Sequence, residues 1–126
     1  MTNNTQSKTL VNTWLNQKKP MITPSTHASF TLIADNHLIP YFGKRKIGSI
    51  TEADIQSYIS HLYNAGRLDK TGGLTVKTIR DVILVLRLSM EYAYKERAIS
   101  LLNWDLIEYP KELGIKKVVF ILMHRI

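Results

Sequence analysis

The segment Gly72 to Ile99, GGLTVKTIRDVILVLRLSMEYAYKERAI, constrains the fold more than any other part of the chain. Gly72 and Gly73 break whatever precedes them, Thr75 is placed to cap, and Ile79, Ile83, Leu86, Met90 and Ala93 recur at the spacing of one helical face. Lys77, Arg80, Arg87 and Lys95 fall off that stripe. A long helix with an apolar face needs other elements to cover it, and the basic leading end of this one suits a polyanion.

Shorter helices are expected upstream. Leu10, Val11, Trp14 and Leu15 predict an amphipathic helix from Thr5 to Gln17, ended by Lys18-Lys19-Pro20. Thr23-Pro24 reads as an N-cap followed by proline at the first helical position. The helix it opens runs through Phe30, Ile33, His37 and Leu38 until Pro40 stops it, with Tyr41-Phe42-Gly43 as the closing turn. Lys44-Arg45-Lys46 then forms an exposed basic turn, and Thr51-Glu52-Ala53-Asp54 matches a capping box, with Ile55, Tyr58, Ile59 and Leu62 as the buried face behind it. Gly66 supplies the stop, Arg67 to Gly73 is a linker, and a short fifth helix is expected through Leu102 and Leu106. The fold class is therefore all-α, a small orthogonal bundle of four to five helices without a convincing strand. Val118 to Met123 is the exception, an apolar run that reads as a short buried strand or a sticky tail.

A chain of 126 residues accommodates one modest core, so one domain is expected over 1–111, followed by a tail over 112–126. Seventeen Lys and Arg against ten Asp and Glu give a net charge of +7, which favours nucleic acid or an acidic membrane surface as partner. Six of the cations, Lys8, Lys18, Lys19, Lys44, Arg45 and Lys46, fall in the first 50 residues against only Asp35. Cysteine is absent, which excludes disulfides and thiolate metal sites and fits a reducing, cytoplasmic setting. The polar N-terminus is unlike a secretory signal, and no apolar run approaches the length of a membrane span.

Several phrases, in order, carry a resemblance over about Leu10 to Lys111. They are Trp14-Leu15 with Lys18-Lys19-Pro20, Pro24-Ser25-Thr26, His37-Leu38-Ile39-Pro40-Tyr41-Phe42-Gly43, Ile50-Thr51 with Asp54-Ile55, Gly73-Leu74-Thr75 with Lys77-Thr78, and Tyr92-Ala93 with Ile99. Together they resemble the core-binding domain of tyrosine recombinases, the phage and transposon integrase family. The resemblance implies a SAM-like helical bundle that wraps one side of a recombination site, and a soluble protein of bacterial or phage origin associated with the nucleoid. It implies double-stranded DNA as the partner, with other recombinase protomers beside it. In that family a separate C-terminal domain cuts DNA with a tyrosine nucleophile, supported by an Arg, a Lys and a His-x-x-Arg pair. Here His27, His37 and His61 are followed at that offset by Phe30, Pro40 and Asn64, and His124 lies too near the end. All six tyrosines fall at or before Tyr109, so no catalytic residue is assigned and strand exchange by this chain alone is not expected. Asn103-Trp104 stands where the family usually has Asn-Pro, and beyond Lys111 the resemblance ends. Residues Glu112 to Ile126 read as a natural truncation, an out-of-frame end or a diverged linker.

The expected DNA-binding residues are Ser25, Thr26, Lys44, Arg45, Lys46, Thr75, Lys77, Thr78 and Arg80. Lysine and arginine neutralise phosphates, while the helix starts near Ser25 and Thr75 offer unpaired amides. Lys77 and Arg80, one turn in, are candidates for base edges. Against this, Thr51 reads as a pure cap, Lys77 can pair with Asp81, and Arg87 and Lys95 read as solvated. The Lys44-Arg45-Lys46 turn has no acid close by in sequence, which favours binding. His37 and His61 read as packed, His27 as a DNA contact at most, and Trp14, Phe30, Tyr41, Phe42, Tyr58 and Tyr92 as core. No cofactor, metal or small-molecule substrate is expected, since the carboxylates are scattered and Gly72-Gly73 lacks the Gly-Lys-Ser/Thr of a phosphate loop. A protein-interaction module docking through Val118 to Met123 is the alternative.

Overall fold

The computed structural model describes residues 1–65 and 72–111. Among them the chain forms α1 (Ser7–Lys18), α2 (Pro24–Ile33), a π-helical turn (Ala34–Leu38), α3 (Ile39–Phe42), a 3-10 turn (Ile47–Ser49), α4 (Glu52–Ala65), α5 (Val76–Lys95) and a second 3-10 turn (Trp104–Leu106). The architecture is all-α, and the sole β-type pairing among these residues is an isolated bridge between Gln6 and Lys46. Gly66, the linker up to Thr71 and the Val118 to Met123 run lie outside the described residues.

Helix α5 is the centre of the core. Ile79, Val82, Ile83, Val85, Leu86, Met90 and Ala93 are all buried, a wider face than the single stripe seen in sequence. The reason is that α5 packs against α1, α2 and the π turn as well as against α4. Leu10, Val11, Trp14 and Leu15 of α1, Ala34, Leu38, Phe42, Ile47 and Ile50, and Ile55, Tyr58, Ile59 and Leu62 of α4 complete one cluster. Helix α2 buries none of its residues fully and is tied on through Phe30, whose ring stacks on Trp14 at 5.7 Å.

Pro40 does not stop the second helix. Proline lacks an N–H and its ring collides with the carbonyl four residues back in a regular α-helix. The chain inserts a π turn instead, in which Ile39 N–H reaches back to Ala34 O, and helical geometry resumes until Gly43 N–H closes on Ile39 O at 2.8 Å. The Tyr58 hydroxyl donates to His37 O at 2.6 Å and so supplies a donor inside this widened stretch.

Helix α1 begins at Ser7, later than the pattern from Thr5 suggests, because its first donors are satisfied by a distant turn. Ser7 N donates to Arg45 O at 2.8 Å and Lys8 N to Gly43 O at 3.1 Å, in place of a capping side chain. Ile47 N and Gly48 N donate back to Thr5 O and Asn3 O, both at 2.9 Å. A Cβ at Gly48 would sit 2.7 Å from Asn3 Cβ, so this approach requires glycine.

The connection into α5 is equally close. Leu74 N donates to Leu62 O at 2.8 Å, and a Cβ at Gly73 would run into the Tyr63 carbonyl. Helices α4 and α5 thus meet at the end of one and the start of the other. Helix α5 ends with Arg97 at φ 60° and Ala98 N on Ala93 O at 2.9 Å, the Schellman arrangement with arginine in the usual glycine position.

The fifth helix is a single 3-10 turn, Trp104–Leu106, opened by Asn103, which accepts from Asp105 N at 3.2 Å. Too few apolar positions are covered there to pull a full helix onto the core: Leu106 stays exposed and Trp104 half-buried. Tyr41 is also less buried than expected, at 42 % exposure, with its ring against Tyr58, Phe42 and His61. Among the described residues no helix is long and apolar enough to cross a membrane.

Candidate nucleic-acid interface

The expected binding residues fall into three groups, each set by a different local device. The first is the start of α2. Thr23 caps it by accepting from Thr26 N at 3.2 Å, and its hydroxyl donates to that of Thr26 at 2.8 Å. The Thr26 amide and hydroxyl are therefore engaged inside the cap, while Ser25 is exposed. His27 follows and bridges to α1, its Nε2–H donating to Leu15 O at 3.0 Å, so it is a helix-to-helix tie.

The second group is the basic turn. Lys44 and Lys46 are exposed and make no ion pair among the described residues. Arg45 behaves differently from the sequence expectation of a turn without acids. Its Nη2 donates to Asp54 Oδ2 at 3.1 Å and to Ser49 O at 2.9 Å. Asp54 is nine residues away in sequence, and the capping box brings it in. Thr51 N and Thr51 Oγ1 donate to the same Asp54 Oδ2 at 2.9 and 3.0 Å, while Asp54 N donates to Thr51 Oγ1 at 3.2 Å. One carboxylate oxygen thus collects three donors. Arg45, with backbone and side-chain bonds from Thr51 behind it, holds the Asp54 carboxyl below the usual carboxylate range. Thr51 is a cap, as expected, and Arg45 fastens the basic turn to α4.

The third group is the start of α5. Thr75 accepts from Thr78 N at 3.3 Å, and the two hydroxyls lie 3.1 Å apart. Lys77 is exposed and does not reach Asp81 within ion-pair distance, so that alternative pairing is not made among the described residues. Arg80, one turn on, lies with its guanidinium carbon 4.1 Å from the centre of the Tyr109 ring. Arg87 donates to Glu91 at 2.9 Å and faces Trp104 at 5.7 Å, which makes it a structural surface residue.

These groups do not form one patch. The end of α1, to which His27 ties the start of α2, faces the last turns of α5 across a cleft lined by Trp14, Lys18, Met21, Leu88, Tyr92 and Lys95. Those turns lie toward the far end of the 20-residue α5 from Val76, about 18 to 29 Å away at 1.5 Å per residue. The basic turn adjoins the start of α4, and α4 ends beside the start of α5, a separation of about 20 Å along 14 residues.

Burial pushes the His37 ring below its ordinary value, and Tyr58 is raised by burial with Tyr41 adding to it. Among the described residues no group of three or more His, Asp or Glu side chains is placed to hold a metal. Sequence reading missed Gln56, whose side chain pairs with the backbone of Glu108 in both directions at 2.8 Å, and Tyr109 as the partner of Arg80. Nothing in the local pattern marks either residue, because both contacts span distant parts of the chain.

No curated protein and no solved structure matches the chain. The family described as phage integrase, N-terminal SAM-like domain, matches residues 8–63. That span runs from the first turn of α1 almost to the end of α4 and includes Ser25, Thr26 and the Lys44-Arg45-Lys46 turn, whereas the α5 group lies beyond it. With its all-α fold and its capped, basic helix connections, the chain is similar over residues 8–63 to the phage integrase N-terminal SAM-like domain.

Proposed function

We propose that this domain binds double-stranded DNA as the clamp of a site-specific integrase, and that strand exchange is performed elsewhere than on the residues described above. The observation that carries this reading is the pair of basic features, Lys44 with Lys46 and Lys77 with Arg80, that make no ion pair among the described residues and sit on rigid supports inside and beside an integrase-type domain. Lys44 and Lys46 project from a turn fixed by Ser7, Gln6 and the Arg45–Asp54 pair at the start of α4, and Lys77 opens a capped helix beside the end of α4, about 20 Å along it, with Arg80 one turn further on. Cations so separated favour contact at several phosphates along a duplex over a single anion site, and the helix-start amides add to them. Ser25, Thr26, Thr75 and Thr78 contribute cap geometry first and hydroxyls second. The absence of any His-x-x-Arg in the sequence supports assigning the chemistry to another part of the system.

The test is duplex affinity as a function of salt. Four to six phosphate contacts lower affinity by roughly two to three decades between about 50 and 200 mM salt. Replacing Lys44, Lys46 and Lys77 together with alanine reduces that slope by about 3 while thermal unfolding stays unchanged. A wild-type chain that shows no binding at about 50 mM salt defeats the proposal.

A further inference from the structure

Arg80 is held unlike any other arginine among the described residues. Arg45 spends its Nη2 on Asp54 and Ser49, and Arg87 spends its Nε on Glu91. Arg80 makes no hydrogen bond or ion pair among the described residues, yet its guanidinium lies 4.1 Å from the centre of the Tyr109 ring. Stacking of this kind uses the face of the guanidinium and leaves its five N–H donors at the edge. The contact therefore restricts the plane of the group without consuming what it would use to bind.

The ring is delivered by a strap. After the 3-10 turn the chain runs back along α5, with Trp104 near Arg87 and Tyr109 at Arg80, two helical turns nearer the start. Gln56 of α4 fixes its register: Gln56 Nε2 donates to Glu108 O and Glu108 N donates to Gln56 Oε1, both at 2.8 Å. This pair of bonds satisfies both backbone groups of one residue, and the next residue is Tyr109. Pro110 then restricts Tyr109 to extended backbone.

We infer that Gln56 and Tyr109 are positioning residues that hold the Arg80 guanidinium edge outward for a two-bond contact with a DNA phosphate. The inference rests on the proposed DNA binding and deepens it, because an ordered arginine loses less freedom on forming a bidentate contact than a loose one. Lysine cannot replace it, having neither the planar fork nor the stacking face.

The experiment is a double-mutant cycle on affinity for a mixed-sequence DNA duplex at low salt, using the full chain. Tyr109→Leu weakens binding roughly two- to fivefold, in keeping with a cation–π contact at a partly exposed site. Tyr109→Phe restores it, Gln56→Leu reproduces the loss, and none of the three changes the salt slope, since no charge is removed. In an Arg80→Ala background Tyr109→Leu has no further effect, which a purely structural role for the ring would not produce. Equal losses with and without Arg80 overturn the inference, as does tighter binding by Tyr109→Leu, which would mean that the ring masks Arg80. Wild-type binding with Tyr109→Leu unaffected sinks the positioning role alone; no wild-type binding sinks the DNA reading with it.

Discussion

Removing one oxygen from the core should measure how firmly α4 holds the widened turn around Pro40. Tyr58 is 1 % exposed, its ring lies 4.5 Å from that of Tyr41 and 4.8 Å from that of Phe42, and its hydroxyl donates to His37 O at 2.6 Å. Tyr58→Phe keeps the ring and its packing, so the change isolates the hydrogen bond. A typical bond of this kind contributes about 1 kcal/mol net, and an acceptor left without a partner in a buried setting costs about 1–3 kcal/mol. His37 is half-buried, which gives water some access to its carbonyl, and the expected loss is therefore about 1–2 kcal/mol. Deleting the ring with Tyr58→Ala should cost about 3–5 kcal/mol, since it adds a cavity beside Tyr41 and Phe42. Urea unfolding followed by circular dichroism reads both changes, with the slope unchanged in the phenylalanine variant and Tm lowered by roughly 4–8 °C per kcal/mol. Amide exchange at Ile39, whose N–H makes the π-type bond to Ala34, should quicken in Tyr58→Phe before the rest of the core does. A phenylalanine variant within about 0.5 kcal/mol of wild type would refute the reasoning, because the hydroxyl would then not be what fastens α4 to this turn.

Three further outcomes follow from the close contacts. Gly73→Ala should destabilise by about 1–3 kcal/mol, because the new methyl group meets the Tyr63 carbonyl and pushes Leu74 N away from Leu62 O; an unchanged denaturation midpoint would contradict the approach described. Arg97→Gly should stabilise by roughly 1 kcal/mol, relieving a left-handed arginine at φ 60°, and a lower Tm would show that the arginine side chain matters more than its backbone. Asp54 is held below its unfolded pKa, so its contribution is complete above about pH 4 and is lost as pH falls through the folded value. With the pair 39 % and 31 % exposed, that contribution is at most about 1 kcal/mol, and the Tm gap between wild type and Asp54→Asn should narrow below about pH 4; a constant gap would argue against ionic linkage.

Local rules were enough to read several elements. Thr23, Thr51 and Thr75 each cap where a hydroxyl followed by helix-forming sequence places them, because a cap is satisfied by an amide three residues away. The apolar face of α5 was legible for the same reason, its period being a property of one segment. Pro40 misled because the local rule holds only for a regular α-helix. The chain escapes it by widening one turn, with the hydroxyl of Tyr58, 21 residues away, donating to the turn's His37 carbonyl. The lysines of the candidate interface were visible by charge alone, but Arg45 and Arg80 were not distinguishable from them until their partners were in place.

What the sequence by itself determined is therefore the helical class, the helix starts, the α5 core face and the resemblance to an integrase domain. These depend on interactions within a turn or two of helix. Only the tertiary structure decided that Arg45 is committed to Asp54, that Arg80 is stacked by Tyr109 and makes no hydrogen bond or ion pair among the described residues, and that the strap is tied to α4 by Gln56. Each of those outcomes joins residues between nine and several tens of positions apart. Such contacts form because packing of the helices and of the strap brings side chains from distant parts of the sequence within reach of one another.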